Sequence, residues 1–91
     1  MRLLVVEDEG GIASALRQGL SESGYAVDVA RDGEQGREHA LAATYDVILL
    51  DILLPKLDGL ALLRDLRKRG MTTPILLLTA RVIHRTTSAP D

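Results

Sequence analysis

Cysteine is absent from this sequence of 91 residues. Its absence excludes disulfide scaffolds, thiolate metal sites and cysteine nucleophiles, and it is compatible with a cytoplasmic location. Proline is scarce, with three residues, whereas hydrophobic residues make up 46% and charged residues 26% of the chain. We therefore expect a folded chain rather than a disordered one, and a chain of this length has room for one domain.

Long hydrophobic runs and an excess of positive charge are also missing. The longest uninterrupted apolar runs contain four residues, whereas a helix needs roughly 20 to cross a membrane. The acidic N-terminal segment does not resemble a signal peptide, so we expect no membrane association. Eleven Lys and Arg against thirteen Asp and Glu give a formal net charge of -2, which disfavours nucleic-acid binding by this chain alone.

Four short apolar runs predict four β-strands, at residues 3–6, 25–30, 47–50 and 75–78. The first, third and fourth runs are apolar at every position, which is typical of central strands in a parallel sheet that helices cover on both faces. The second run contains Asp28 and is less continuous. We therefore place the second strand at an edge of the sheet, with one end or face toward water.

Helical periodicity fills the segments between the strands. Apolar residues follow the helical repeat within residues 12–20, 40–43 and 62–66. Gly24 can end the first helix in a left-handed conformation, and Asp32 or Gly33 can begin the second. Helices that alternate with strands in this way imply right-handed crossovers and a parallel α/β sheet.

Acidic and hydroxyl side chains directly follow three of the predicted strands. Glu7 and Asp8 follow the first strand, Asp51 follows the third, and Thr79 follows the fourth. The carboxyl ends of parallel strands share one rim of the sheet, so we expect these side chains to meet. If the first strand lies between the second and the third, they meet at the topological switch point, where open α/β sheets bind their ligands.

Several carboxylates in one crevice repel each other, by about 4 kcal/mol for a pair ~4 Å apart at an effective dielectric constant near 20. Either one carboxyl takes up a proton and its pKa rises, or a divalent cation binds. All-oxygen ligation favours Mg²⁺, with Mn²⁺ or Ca²⁺ as substitutes. A carboxylate beside such a metal can also attack a phosphoryl group, and Thr79 supplies a hydroxyl that can donate a hydrogen bond to it.

Each of these residues also has an ordinary structural explanation. The acids at positions 7–9 could belong to the first turn of a helix, Asp51 could cap a turn before Pro55, and Thr79 could be a strand residue or a helix cap. Capping alone does not easily explain acids after two otherwise apolar strands together with a hydroxyl after another. We therefore favour a shared site.

Three segments, taken in order, resemble the receiver domain of bacterial two-component response regulators, particularly the class with a winged-helix DNA-binding domain. They are LLVVEDE at residues 3–9, VILLDILLPKLDG at residues 47–59 and PILLLTA at residues 74–80. The resemblance covers residues 1–81, and residues 82–91 are interpreted as a divergent tail that frays from residue 85. It implies a flavodoxin-like, doubly wound parallel sheet of strand order 2-1-3-4 that lacks the last helix-strand-helix part.

The resemblance also implies a role for each residue of the rim. Asp51 would accept a phosphoryl group from a sensor histidine kinase, and Thr79 would form a hydrogen bond with that group. Asp8 and Asp51 would bind Mg²⁺ directly, Glu7 would bind it through water, and the backbone carbonyl of Leu53 would complete the protein ligands. The protein would then be a phosphoacceptor in signal transduction rather than a turnover enzyme.

The sequence departs from this family after the fourth strand. Only eleven residues follow Ala80, which leaves no room for the remaining family elements, and neither Lys56 nor Lys68 takes the place of the family's lysine. Without a fifth strand, residues 75–78 would form an uncovered apolar edge. We therefore expect a homodimer that forms through the exposed fourth strand.

Two other functions stay open on the sequence alone. The missing lysine favours an inactive interaction module that self-associates or binds a kinase without accepting phosphate. A small Mg²⁺-dependent phosphatase on a similar sheet is less well supported, because no general acid is evident beyond the acidic rim.

Overall fold

The computed structural model describes residues 1–78 and the backbone of residues 83–86. The strands are β1 (Arg2–Val6), β2 (Ala26–Ala30), β3 (Val47–Asp51), β4 (Ile75–Leu78) and β5 (Ile83–Thr86), and the helices are α1 (Gly10–Glu22), α2 (Gly33–Ala42) and α3 (Gly59–Lys68). One sheet contains all five strands in the order β2-β1-β3-β4-β5. Its first four strands are parallel, which confirms the predicted order 2-1-3-4.

Burial on both faces explains why the central strands are apolar at every position. Successive residues of a strand point to opposite faces of the sheet, so a strand between two helical layers needs an apolar side chain at each residue. The layer on the side of α2 and α3 contains Leu4, Val6, Ile48, Leu50, Leu62, Leu66 and Ile75. The layer under α1 contains Val5, Leu49 and Leu78.

Carboxylates cap the N-termini of all three helices in residues 1–78. The side chains of Glu9, Asp32 and Asp58 accept hydrogen bonds from backbone N–H groups of the first turns of α1, α2 and α3, at 2.8–3.1 Å. The predicted start of the second helix is thus confirmed. After α1, Gly24 has a φ of 94°, the left-handed conformation that the sequence predicts. Among the described residues, no helix has the length and apolar character that a bilayer span requires.

β2 lies at an edge of the sheet, as predicted, and Asp28 accounts for its mixed composition. The Asp28 carboxylate accepts a hydrogen bond from the Tyr45 hydroxyl at 2.6 Å and another from Arg2 Nη2 at 2.8 Å. The Tyr45 bond, followed by that of Arg2, holds the pKa of Asp28 below its usual range. Burial, together with Asp28, raises the pKa of Tyr45 to about 12. This polar cluster joins β2, through Asp28, to Arg2 at the start of β1 and to Tyr45 just before β3.

The prediction of an uncovered fourth strand is wrong. β5 pairs with β4 in the antiparallel direction, with Thr86 opposite Ile75 and Ile83 opposite Leu78. The chain itself therefore occupies the edge through which a homodimer was predicted to form. Residues 85 and 86, which were predicted to fray, belong to β5. The continuous apolar composition of β4 indicated a central strand, and this was a better guide than the number of elements that the resemblance left missing.

Candidate metal and phosphoryl site

The carboxyl ends of β1 and β3 carry acidic residues next to each other. β1 lies between β2 and β3, so Glu7 and Asp8 leave the sheet at the topological switch point, and Asp51 is the last residue of β3. One carboxylate oxygen from each of Glu7, Asp8 and Asp51 lies within 4.8 Å of the others. The structure thus brings together the three acids that were predicted to meet. We call these three residues the acidic pocket.

Glu7 is the buried member of the acidic pocket. The residue is 3% exposed, and its carboxylate accepts a hydrogen bond from the backbone N–H of Glu9 at 3.0 Å. Burial is the main cause that raises the pKa of Glu7 to about 7, the Glu9 bond opposes this rise, and the nearby Asp51 and Asp8 add to it. In the absence of a cation, burial first and the neighbouring carboxylates second therefore favour the protonated form of Glu7 near neutral pH.

Asp51 is half-buried and takes part in the turn that follows β3. Its Oδ1 accepts a hydrogen bond from the backbone N–H of Leu53 at 3.0 Å. The turn explanation considered for Asp51 is therefore correct, but it does not compete with a place in the acidic pocket. A carboxylate has two oxygens and about four lone-pair directions, so one bond in a turn leaves capacity for another ligand. The Leu53 carbonyl, as a metal ligand, stays a prediction.

The three consecutive acids at positions 7–9 divide between two structural roles. Glu9 accepts hydrogen bonds from the backbone N–H groups of Gly11 and Ile12, and these bonds hold its pKa below the usual range. Glu9 is thus the N-cap of α1, while Glu7 and the exposed Asp8 contribute to the acidic pocket. The helix-terminus explanation considered for all three acids applies to Glu9.

Thr79 and Lys56 are not among the residues that the structure brings into the acidic pocket. Thr79 lies outside the described residues, so its place beside the acidic pocket stays a prediction. Lys56, in the loop between β3 and α3, has its Nζ 3.7 Å from Oδ2 of Asp32. It is also the one non-glycine residue within the described ranges that has a positive φ, of 68°. This lysine therefore connects its loop to the start of α2.

Two glycines allow the loop between β3 and α3 to pack closely against the starts of α2 and α3. A Cβ atom on Gly59 would overlap the backbone carbonyl oxygen of Asp51, and one on Gly33 would overlap the carbonyl oxygen of Leu57. The Gly59 N–H also donates a hydrogen bond to the carbonyl of Ile52 at 2.9 Å. The first residue of α3 therefore lies directly against the backbone of Asp51, and the first residue of α2 lies against the same loop at Leu57.

Sequence reasoning did not identify Arg31, which directly follows β2. Its Nη2 donates a hydrogen bond to the backbone carbonyl of Asp8 at 2.8 Å, across 23 residues of sequence. Its backbone N–H donates to the Gln35 side chain at 3.0 Å. The signal that could have pointed to Arg31 is positional, because a residue directly after β2 lies on the same rim as the acidic pocket.

The fold and the site together define a class of small α/β domains, in which a doubly wound parallel sheet carries three carboxylates at its switch point. Over residues 3–89 the chain matches the response regulator receiver domain family. The match includes most of the chain, and the chain belongs to this family. The receiver domain expected from the three sequence segments is thus confirmed.

Curated relatives extend well beyond the matched region. The transcriptional regulatory protein DltR of Streptococcus agalactiae is 53% identical over 81 residues, which cover 89% of this chain and 36% of the relative. The transcriptional regulatory protein QseB of Escherichia coli O157:H7 is 43% identical over 81 residues, which cover 89% of this chain and 37% of the relative. The chain therefore spans a little over a third of the length of these relatives.

Solved structures of receiver domains share the fold. The receiver domain of Francisella response regulator 1452 superposes with a TM-score of 0.85 at 36% identity, covering 88% of this chain and 66% of that one. The Thermotoga maritima response regulator TrrA, solved in complex with Mg²⁺ and BeF, gives a TM-score of 0.82 at 39% identity, covering 87% of this chain and 69% of that one.

Proposed function

We propose that this chain is a phosphoacceptor domain of two-component signalling, in which Asp51 receives a phosphoryl group from a sensor histidine kinase. The observation that carries the proposal is the approach of Glu7, Asp8 and Asp51 to within 4.8 Å at the switch point of the sheet. Family membership supports it, because receiver domains of response regulators interact with histidine kinases.

Asp51 is the proposed acceptor because its carboxylate lies at a strand end and its backbone is held firmly. An Asp51 oxygen attacks the phosphorus of a phosphohistidine in line, so that a new P–O bond forms while the P–N bond breaks. The imidazole nitrogen leaves with the bonding electron pair. Water later attacks the acyl phosphate, which releases inorganic phosphate and restores the carboxylate. The chain thus modifies itself and is regenerated without acting on a diffusing substrate.

The acidic pocket has the donor chemistry that Mg²⁺ prefers, since each of its three side chains offers a carboxylate oxygen. In the proposal, Asp8 and Asp51 hold the ion directly, Glu7 holds it through water, and the Leu53 carbonyl completes the protein ligands. A bound Mg²⁺ would supply positive charge to offset that of the phosphoryl oxygens. The complex of the Thermotoga relative with Mg²⁺ and BeF supports this choice of metal.

Thr79 and the signalling output complete the proposal. We assign to the Thr79 hydroxyl a hydrogen bond with one phosphoryl oxygen, in accordance with its position one residue after β4. The relatives named as transcriptional regulators suggest that the accepted phosphoryl group controls transcription. In this proposal the chain is the cytoplasmic, phosphate-accepting part of such a system and does not itself contact DNA.

Intact mass spectrometry tests the assignment of Asp51. The protein is incubated with Mg²⁺ and acetyl phosphate, and the parent chain is compared with the Asp51→Asn and Asp58→Asn variants. Asp58 is the matched control, because it is an exposed acid near Asp51 in sequence whose cap of α3 an asparagine can preserve. We expect the parent and Asp58→Asn to gain the mass of one phosphoryl group and Asp51→Asn to gain none.

Other outcomes of this experiment contradict the proposal in different ways. A parent chain that gains no mass with Mg²⁺ would instead support an interaction module that does not accept phosphate. A gain that persists in Asp51→Asn would place the acceptor elsewhere. Replacing Thr79 by Ala tests the second assignment, since the loss of a donor is expected to slow the gain without abolishing it.

A further inference from the structure

We propose that Arg31 is a positioning residue that holds the Asp8 segment in the geometry needed for cation binding by the acidic pocket. This inference rests on the function proposed above, because it concerns the same pocket. Arg31 enters from β2, on the opposite side of β1 from Asp51. The geometry of the acidic pocket would therefore depend on the end of β2 as well as on the ends of β1 and β3.

The guanidinium of Arg31 lies beside the end of β1 and the start of α1. Its Nη2 donates to the Asp8 carbonyl at 2.8 Å, and a Cβ atom on Gly10 would lie 3.3 Å from the same nitrogen. The charge of Arg31 also contributes to the lowered pKa of Glu9. The guanidinium thus bonds the backbone of Asp8, a member of the acidic pocket, and lies close to the two residues that follow it.

The backbone position of Asp8 depends on the Arg31 contact, whereas Glu7 and Glu9 are held by other interactions. Glu7 is fixed by its own buried side chain and by its N–H bond to the Ala30 carbonyl at 3.0 Å. Glu9 is fixed as the N-cap of α1. Asp8 is exposed between them, and the Arg31 bond is the one side-chain hydrogen bond that its backbone carbonyl receives among the described residues. Loss of that bond would let the Asp8 peptide rotate while both neighbours stay in place.

The two lysines do not offer a substitute for this contact. Lys56 faces Asp32, at the start of α2, and Lys68 lies in the last turn of α3. The positive charge of Arg31 is itself exposed, so water screens its repulsion of a bound cation. The guanidinium is therefore expected to favour cation binding through geometry more than it opposes it through charge.

Isothermal titration calorimetry with MgCl₂ tests the proposal on the parent chain, Arg31→Met and Arg17→Met. Methionine keeps the length of the side chain and removes its donors, and Arg17 is the matched control because it is an exposed arginine of α1. We expect Arg31→Met to bind Mg²⁺ roughly tenfold more weakly, the lower end of what outer-sphere partners contribute. Arg17→Met should bind like the parent. Equal or tighter binding by Arg31→Met would overturn the proposal.

Hydrogen exchange of the metal-free protein keeps this inference separate from the proposed function. Arg31→Met should exchange the amides of residues 8–11 faster than the parent, whereas Arg17→Met should not. If the parent binds no Mg²⁺, the proposed function fails, and the exchange of these amides decides whether Arg31 orders the segment. Unchanged exchange in Arg31→Met overturns the positioning role even if its Mg²⁺ affinity falls.

Discussion

Replacement of Glu7 by Gln should remove a pH-dependent loss of stability from the metal-free protein. Burial raises the pKa of Glu7 from 4.5 to about 7, so the folded protein holds this proton more tightly than the unfolded chain. The stability that the protonated group confers is fully present below pH 4.5 and is lost as the pH rises through about 7. At about 1.36 kcal/mol per pH unit, this interval corresponds to about 3 kcal/mol.

Urea denaturation followed by circular dichroism in EDTA measures this effect. The gain in unfolding free energy from Glu7→Gln should be about 2 kcal/mol larger near pH 8 than near pH 5, because the amide stays neutral throughout. Glu38→Gln is the control, since Glu38 is exposed on α2 away from the acidic pocket, and its effect at each pH is subtracted from that of Glu7→Gln. A gain from Glu7→Gln that does not grow with pH would refute the reasoning.

Three further substitutions test the packing around the site and the sheet edge by thermal denaturation. Gly59→Ala should destabilise the protein by about 3 kcal/mol, because its methyl group would overlap the backbone of Asp51; an unchanged melting temperature would contradict this packing. Lys56→Gly should stabilise the protein by about 0.5 kcal/mol, because relief of the positive φ outweighs the loss of an exposed ion pair with Asp32. A destabilised variant would show that the ion pair contributes more than the backbone strain costs. Tyr45→Phe should cost about 1 kcal/mol at neutral pH, because Asp28 loses a donor at 2.6 Å. The lowered pKa of Asp28 means that this cost should shrink as the pH falls below the ordinary Asp range, and a cost independent of pH would count against it.

The parallel core could be predicted because its signals are local. Unbroken apolar runs at residues 3–6, 47–50 and 75–78 identify β1, β3 and β4 as strands covered on both faces, and Asp28 marks β2 as an edge strand. β5 could not be predicted in this way. Its four residues, IHRT, contain one large apolar side chain, and its antiparallel pairing depends on β4 rather than on a pattern of its own.

The acidic pocket was predictable for a similar reason, since strand ends fix where Glu7, Asp8 and Asp51 lie along the chain. The division between Glu7, Asp8 and Glu9 was not, because it depends on the residue at which α1 begins. The contact between Arg31 and the Asp8 carbonyl joins residues that are distant in sequence, and such a pair leaves no periodic signal. Contacts between residues on neighbouring strands, such as this one, can be predicted only once the strand order is known.

The close fit of Gly33 and Gly59 under the loop after β3 has a mechanical consequence. Neither glycine leaves space for even one methyl group, so the peptide that carries Asp51 cannot move toward α3, and the loop at Leu57 cannot move toward α2. The backbone of Asp51 is thus fixed on the side of α3, whereas Asp8, on the neighbouring strand end, is exposed. A group added to the Asp51 side chain is therefore expected to displace the exposed segment around Asp8 before it displaces the backbone of β3.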